Sequence, residues 1–123
     1  MSKQALLIVD HGSTRNESNE MLKFVGVKVK ELAPHLIVNI AHMELAEPSI
    51  PQGFEQCVNE GATDVVVLPY MLGPGKHSTA DIPRMVGEAA TRFPGVNYRV
   101  SGCLGISTKI AELILERAGV SPS

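Results

Sequence analysis

The sequence predicts an α/β domain built on a four-stranded parallel sheet of order 2-1-3-4, with helices on both faces. Strand-like and helix-like segments alternate four times, two of the strand-like segments are continuous apolar runs, and turn residues separate the segments. Right-handed crossovers leave few strand orders, and the most apolar strands belong at the centre of a parallel sheet. With 123 residues and no linker or repeat, the chain is expected to form a single domain over residues 1–123.

The first half of the chain supplies two strands and two helices. Residues 5–9 are an apolar run that predicts a central strand. The next helix should end at Ala33, because Pro34 follows, and residues 36–42 predict the second strand. Residues 49–52 read as a capping box that opens a second helix, which stops at Gly61. In the first helix, the apolar residues at near-helical spacing are expected to face the sheet: Met21, Val25, Val29 and Leu32.

The second half repeats this alternation. Residues 64–68 are the most apolar strand, and a loop over residues 73–79 separates it from a third helix that starts near Asp81. Polar and apolar residues alternate over residues 96–101, which predicts a strand near the edge of the sheet. Ser107 can cap a last helix. One face of that last helix is apolar and is expected to pack inward: Ile110, Leu113 and Ile114.

Polar residues follow three of the predicted strands at one edge of the sheet. In the order 2-1-3-4 the chain reverses its winding direction between strands 1 and 3, and ligands bind at such a switch point. His11 follows strand 1 and His77 follows strand 3, while Glu44 and Glu47 follow strand 2. Adjacent strands lie about 5 Å apart, so we expect these side chains to converge.

Two imidazoles and a carboxylate on one rim suit a divalent first-row metal ion that keeps open coordination positions. Thiolate ligands are not part of this set. The alternative interpretation is that each histidine only hydrogen-bonds the nearby backbone, which is common for a single loop histidine. We favour the metal site because His11 and His77 occur together at one switch point. His35 is interpreted as a turn residue and His42 as a strand-end residue, with contact to the site as the alternative for His42.

Composition excludes several classes of partner. The net charge is −2, tryptophan is absent, and only five residues are aromatic, so neither a nucleic acid nor a membrane is expected as a partner. Cys57 and Cys103 are far apart and do not form a ligand-spaced pair. We expect both to be small packed residues in a protein of the reducing cytoplasm.

Two short motifs suggest phosphate chemistry. Residues 73–76 resemble a phosphate-binding loop, but His77 stands where that loop requires serine or threonine, and the spacing is wrong. The run Asp10-His11-Gly12 is similar to the Arg-His-Gly signature of histidine phosphatases. A phosphohistidine enzyme needs cations around its nucleophile, and Asp10 has the opposite charge. A histidine phosphatase-like enzyme therefore stays as an alternative function.

Four segments occur in a distinctive order: LIVDHGS at residues 7–13, MELAEPSI at 43–50, VLPYML at 67–72 and HSTADIP at 77–83. In this order and spacing, from about residue 6 to residue 105, the chain resembles the class II tetrapyrrole chelatases. The match is to the small sirohydrochlorin cobaltochelatases and ferrochelatases in particular. The resemblance implies a chelatase-like, flavodoxin-like half-domain.

The same resemblance implies a function and a set of site residues. It implies insertion of Co2+ or Fe2+ into sirohydrochlorin, on the route to cobalamin or sirohaem, with the metal as a substrate and no organic cofactor. The metal-binding histidines map onto His11 and His77, and the carboxylate maps onto Glu44, with Glu47 as the alternative. Longer relatives contain two such halves, which implies that this chain forms a homodimer. The residues do not distinguish Co2+ from Fe2+ or Ni2+.

The macrocycle needs an apolar surface for its ring and cations for its carboxylates. Arg15 and Arg84 lie beside the rim loops and are candidate cations. The residues expected to bind the tetrapyrrole itself are Tyr70, Met71, Leu72 and Lys76. Packing in the core or in a dimer is the alternative role of the three apolar residues. A non-catalytic carrier of metal or tetrapyrrole is the second functional alternative, since it would use the same ligands without a proton acceptor.

Overall fold

A computed structural model gives the architecture of the protein and describes residues 3–123. Met1 and Ser2 of the predicted domain therefore lie outside the described residues. The sheet has the order β2-β1-β3-β4 and every neighbouring pair is parallel, as predicted. Its strands are β1 (Gln4–Asp10), β2 (Ile37–His42), β3 (Asp64–Pro69) and β4 (Asn97–Val100). The helices are α1 (Asn16–Leu32), α2 (Ile50–Asn59), α3 (Ile82–Ala90) and α4 (Thr108–Ala118), and a π-helical turn (His77–Asp81) precedes α3.

The register of the strands aligns their carboxyl ends. Asp10, the last residue of β1, pairs with His42, the last residue of β2, and Val9 pairs with Pro69 at the end of β3. The polar residues that follow these strands therefore leave the sheet from one rim, at the switch point between β1 and β3.

Helices cover both faces of the sheet. On one face, Leu7 and Val9 of β1 belong to the same buried core cluster as Phe54 of α2 and Ile82 of α3. Ile8 points to the opposite face, where α1 crosses the sheet. Alternation along β1 therefore supplies apolar side chains to two helical layers, as a central parallel strand requires.

The face that α1 turns toward the sheet differs from the predicted one. Its buried residues are Leu22 and Gly26, whereas Met21 is 68% exposed and Leu32 is 87% exposed. Val25 and Val29 are partly buried. The prediction of an inward face with Met21 and Leu32 was wrong because apolar residues surround much of this helix, so that periodicity alone does not define one stripe. The helix ends at Leu32, one residue before the expected Ala33, which is its C-cap.

The C-terminal helix has the predicted start and end but not the predicted packing. Ser107 accepts a hydrogen bond from the backbone N–H of Lys109, and Gly119 ends the helix in the left-handed conformation with a φ of 71°. No residue of α4 is buried, and Ile114 is 61% exposed. The expectation that its apolar face packs inward is therefore wrong within this single chain.

None of the helices in residues 3–123 combines the length and the apolarity that a membrane crossing needs.

Candidate metal site

His11 lies at the centre of the candidate site, one residue beyond β1. Its side chain is partly exposed, and its Nε2 lies 3.2 Å from Oε1 of Glu44. Its Nδ1 lies 3.3 Å from the backbone carbonyl oxygen of Gly12. The structure thus brings together the first predicted histidine and the first-choice carboxylate.

Glu44 reaches His11 because the pairing of β1 with β2 continues past the ends of both strands. The Met43 N–H donates to the Asp10 carbonyl at 2.9 Å, and the Glu44 N–H donates to the His11 carbonyl at 3.1 Å. Gly12 allows this approach. A Cβ atom at Gly12 would lie 1.8 Å from the Glu44 carbonyl oxygen, and the Gly12 φ of 94° is one that favours glycine.

His77 comes to the same place from the other side of β1. Its ring lies edge-on to the His11 ring, with centroids 4.8 Å apart and an interplanar angle of 67°. Helical conformation begins at His77 itself, earlier than the expected start near Asp81. The reason is local, since the Thr79 N–H and hydroxyl both bond the Gly75 carbonyl, and the Gly75 N–H donates to the Ser78 hydroxyl.

The three predicted residues lie together without forming a finished coordination sphere. Among residues 3–123, no three His, Cys, Asp or Glu side chains are arranged so that they could hold one metal ion. His11 contacts both Glu44 and His77, and all three side chains are substantially exposed. The three side chains are therefore open to solvent but are not arranged as a set of metal ligands.

Glu47, the alternative carboxylate, has its hydrogen-bond partner on α2 and not on a rim histidine. Its Oε2 accepts a hydrogen bond from Gln52 Nε2 on α2 at 3.4 Å. It also lines a cavity of about 420 Å³ with Pro48, Gln52 and their neighbours on β2 and α2. This placement favours Glu44 as the carboxylate of the site.

A buried Asp–His pair lies directly behind the site. Asp10 Oδ1 is 2.6 Å from His42 Nδ1, and the His42 residue is only 1% exposed. His42 was interpreted from the sequence as an ordinary strand-end residue, and its bond to Asp10 was not anticipated. The signal was available in principle, because both residues end neighbouring parallel strands.

A second carboxylate was also missed. Asp81 Oδ2 lies 2.9 Å from Nδ1 of His77. The spacing of four residues on a helical turn places two side chains on one face, so the run His77 to Asp81 contained the signal. With Glu44 at His11 and Asp10 at His42, carboxylates contact each of three rim imidazoles. The negative charge of these carboxylates attracts a cation and repels the phosphate that a phosphatase would bind.

The residues predicted to bind the macrocycle divide into two groups. Met71 packs against the main core cluster, whereas Tyr70 and Leu72 are exposed beside the rim. Lys76 is highly exposed, with its Nζ 3.9 Å from Asp81 Oδ1. Arg84 pairs with Glu88 along α3 at 3.2 Å. Tyr70, Leu72 and Lys76 thus remain available at the surface.

Comparison with known proteins is consistent across sequence and structure. A sequence model of the CbiX family matches residues 5–120. A chloroplastic sirohydrochlorin ferrochelatase from Arabidopsis thaliana is 45% identical over 112 residues, which cover 91% of this chain and 50% of that protein. A sirohydrochlorin cobaltochelatase from Priestia megaterium is 32% identical over 114 residues, covering 93% of this chain and 37% of that protein.

The solved structures agree with this. The sirohydrochlorin chelatase SirB from Bacillus subtilis subspecies spizizenii in complex with cobalt superposes with a TM-score of 0.88 at 32% identity. That alignment covers 95% of this chain and 50% of the SirB chain. A CbiX protein from Marinobacter aquaeolei, at 24% identity and a TM-score of 0.78, shares the fold over 94% of both chains. The chain thus spans about half the length of the curated relatives it matches.

Proposed function

We propose that this chain, which belongs to the CbiX family, is a metal chelatase. It would be a lyase that inserts Co2+ or Fe2+ into sirohydrochlorin. The observation that carries the proposal is the position of His11, which contacts both Glu44 and His77 at the carboxyl ends of β1, β2 and β3. Relatives in sequence are a sirohydrochlorin ferrochelatase and a sirohydrochlorin cobaltochelatase by name.

The first task of such an enzyme is to hold a metal ion that can still be passed on. His11 and His77 are the proposed metal ligands, because neutral imidazole binds Co2+ or Fe2+ without closing the coordination sphere. Glu44 is the proposed third group. Two or three exposed ligands hold the ion for exchange, whereas a closed set of four would retain it.

The second task is to remove two protons from the pyrrole nitrogens. Glu44 is the proposed proton acceptor, since it is exposed and lies beside the ligand His11. Turnover on a metal-free tetrapyrrole separates a chelatase from a simple carrier, because a carrier needs no proton acceptor. No organic cofactor takes part in these two tasks.

The third task is to bind the macrocycle. Tyr70 and Leu72 offer exposed apolar surface beside the rim, and Met71 supports them from the core. Lys76 supplies an exposed cation for the carboxylates of sirohydrochlorin. These contacts hold the ring over the metal position without adding ligands to the ion.

A homodimer belongs to the same proposal. One half-domain has a single rim, whereas a tetrapyrrole has two faces to enclose, and a C2 dimer would present the same patch twice. The apolar residues of α4 that are exposed in the single chain, such as Leu113 and Ile114, support an assembly larger than one chain. Light scattering should give a dimer, and a monomer that keeps full activity at high dilution would contradict it.

We infer a reducing compartment such as the cytoplasm, with neither a nucleic acid nor a membrane as a partner. Cys57 and Cys103 are both free thiols, which supports this inference. The net charge of −2 adds no attraction to nucleic acid.

The decisive experiment follows the absorbance of sirohydrochlorin during incubation with the protein and Co2+, Fe2+ or Ni2+. Multiple turnovers with Co2+ or Fe2+ support a chelatase, whereas tight binding of metal or tetrapyrrole without turnover supports a carrier. A rate no faster than the protein-free reaction with all three metals overturns the proposal.

Two matched variants test the carboxylate. Glu44→Gln keeps the shape and one acceptor oxygen but cannot take a proton near neutral pH. We expect it to lose turnover more than it loses Co2+ binding, while Glu47→Gln stays close to the unmodified protein. The reverse pattern would move the role to Glu47, and equal loss of binding and turnover would make Glu44 a ligand only.

A further inference from the structure

The least exposed polar group in direct contact with the proposed metal ligand His77 is the carboxylate of Asp81. The Asp81 side chain is 18% exposed, against 47% for the His77 side chain. Its Oδ2 lies 2.9 Å from His77 Nδ1. Its other oxygen, Oδ1, is 3.9 Å from the highly exposed Nζ of Lys76. Such an exposed ion pair contributes little, so the main partner of Asp81 is the His77 ring.

We propose that Asp81 is a positioning residue that holds the His77 imidazole in the tautomer with its proton on Nδ1, so that Nε2 presents its lone pair to the metal ion. A carboxylate can only accept a hydrogen bond, and a neutral imidazole has one N–H. A short contact between the two therefore places that N–H at Nδ1. This inference rests on the proposed role of His77 as a ligand.

The backbone brings the two side chains into register. The turn from His77 to Asp81 is π-helical, and the Ile82 N–H donates to the His77 carbonyl across five residues. The hydroxyls of Ser78 and Thr79 anchor the start of this turn to Gly75. The ring is also held from its other side by the edge-on contact with His11 at 4.8 Å. Asp81 and His11 together restrict the rotation of the His77 ring.

This arrangement has a direct consequence for metal binding. A carboxylate on the far nitrogen of a ligating histidine orients the ring and makes the ligating nitrogen more basic. Loss of such a partner weakens metal affinity by about 10- to 100-fold in comparable sites. Asp81 acts through His77 and is not itself a ligand.

The test uses the full-length, metal-free, ¹⁵N-labelled protein. Long-range ¹H–¹⁵N spectra at an alkaline pH, where imidazole is neutral, report which nitrogen of each histidine carries the proton. The His77 signals are identified by their absence from the spectrum of His77→Ala. We expect Nδ1–H at His77 in the unmodified protein. An Nε2–H signal there would overturn the proposal, whatever the variants do.

Three variants complete the test. Asp81→Ala should shift His77 toward the Nε2–H tautomer and weaken Co2+ binding about 10- to 100-fold. Asp81→Asn presents an amide N–H that can donate to Nδ1 of His77, so it should also shift the ring toward the Nε2–H tautomer and weaken Co2+ binding. Glu88→Gln is the matched control, because it removes a carboxylate from the exposed pair with Arg84 on α3; its tautomer and affinity should match the unmodified protein.

The outcomes separate this inference from the proposed function. An unchanged His77 tautomer in folded Asp81→Ala, or Co2+ affinity within twofold of the unmodified protein, would overturn the positioning role. A shifted tautomer and weakened Co2+ binding in a protein that never metallates sirohydrochlorin would support it while the proposed function fails. Circular dichroism of each variant checks that the fold is retained.

Discussion

Replacing Gly12 by alanine should damage the candidate site more than the same replacement at any other glycine of the chain. The new Cβ would lie 1.8 Å from the Glu44 carbonyl oxygen and 3.2 Å from the His42 Cβ. The first distance is impossible for two unbonded atoms, so the chain after β1 and the chain after β2 must separate by roughly 1–2 Å to restore van der Waals contact. These are the two segments that hold His11 and Glu44 at 3.2 Å.

The expected loss of folding free energy in Gly12→Ala has two separate causes. Alanine at a φ of 94° adopts a backbone conformation that costs about 1–3 kcal/mol. Forcing the two segments apart adds about 1–3 kcal/mol, as overpacking of a well-packed region does. The sum of about 2–6 kcal/mol falls below or at the low end of the usual 5–15 kcal/mol of total stability, so we expect a destabilised protein that still folds under mild conditions.

Activity should fall further than stability suggests. A misplacement of about 1 Å in a catalytic group can cost about 100-fold in rate, so we expect a loss of that size in metallation of sirohydrochlorin by Gly12→Ala. Urea unfolding measures the free energy, and the absorbance assay measures the rate. The control is Gly95→Ala, because an added Cβ there has open space around it. An unchanged free energy of unfolding in Gly12→Ala, together with turnover within about twofold of the unmodified protein, would refute this reasoning.

Three further predictions follow from the same structure. His77→Ala should abolish metallation while changing the free energy of unfolding by only about 0.5 kcal/mol, as exposed substitutions do. The control is His35→Ala, on an exposed turn, which should change neither the metallation rate nor the stability. Full turnover in His77→Ala would show that His77 does not belong to the site. Metal binding should weaken on acidification, because protons and Co2+ compete for the same imidazole nitrogens. Raising the Co2+ concentration should therefore move the acidic limb of the pH–activity profile to lower pH. An acidic limb that stays at the same pH over a wide range of Co2+ concentrations would contradict a histidine metal site. Burial raises the pKa of the Cys57 thiol to about 11. At pH 8 a thiol reagent should therefore label Cys103 quickly and Cys57 only on unfolding. Equally fast labelling of both thiols in the folded protein would show that α2 opens readily.

The amino-acid sequence by itself determined the order of the elements and the rim on which the candidate site lies. Continuous apolar runs identify β1 and β3 as central strands, because a strand covered on both faces has no solvated side. The capping box at Ser49 is recognisable from four consecutive residues. The structure has both of its hydrogen bonds, from the Gln52 N–H to the Ser49 hydroxyl and from the Ser49 N–H to the Gln52 side chain. These signals are local, so the sequence contains all of their partners. The candidate site histidines follow from them, since His11 comes directly after β1 and His77 lies at the end of the loop that follows β3.

Only the tertiary structure decided which side chains meet at that rim. Glu44 and Glu47 are three residues apart, and the sequence alone does not choose between them. The choice depends on backbone pairing that continues beyond the ends of β1 and β2, where the Glu44 N–H donates to the His11 carbonyl at 3.1 Å. The contact of Asp10 with His42 spans 32 positions and depends on the strand register.

The faces of the outer helices were also decided by the tertiary structure. α1 buries Leu22 and Gly26 in place of Met21, and α4 buries nothing within one chain. An amphipathic pattern indicates that a helix has an apolar side, but what covers that side depends on which surfaces the rest of the fold leaves within reach.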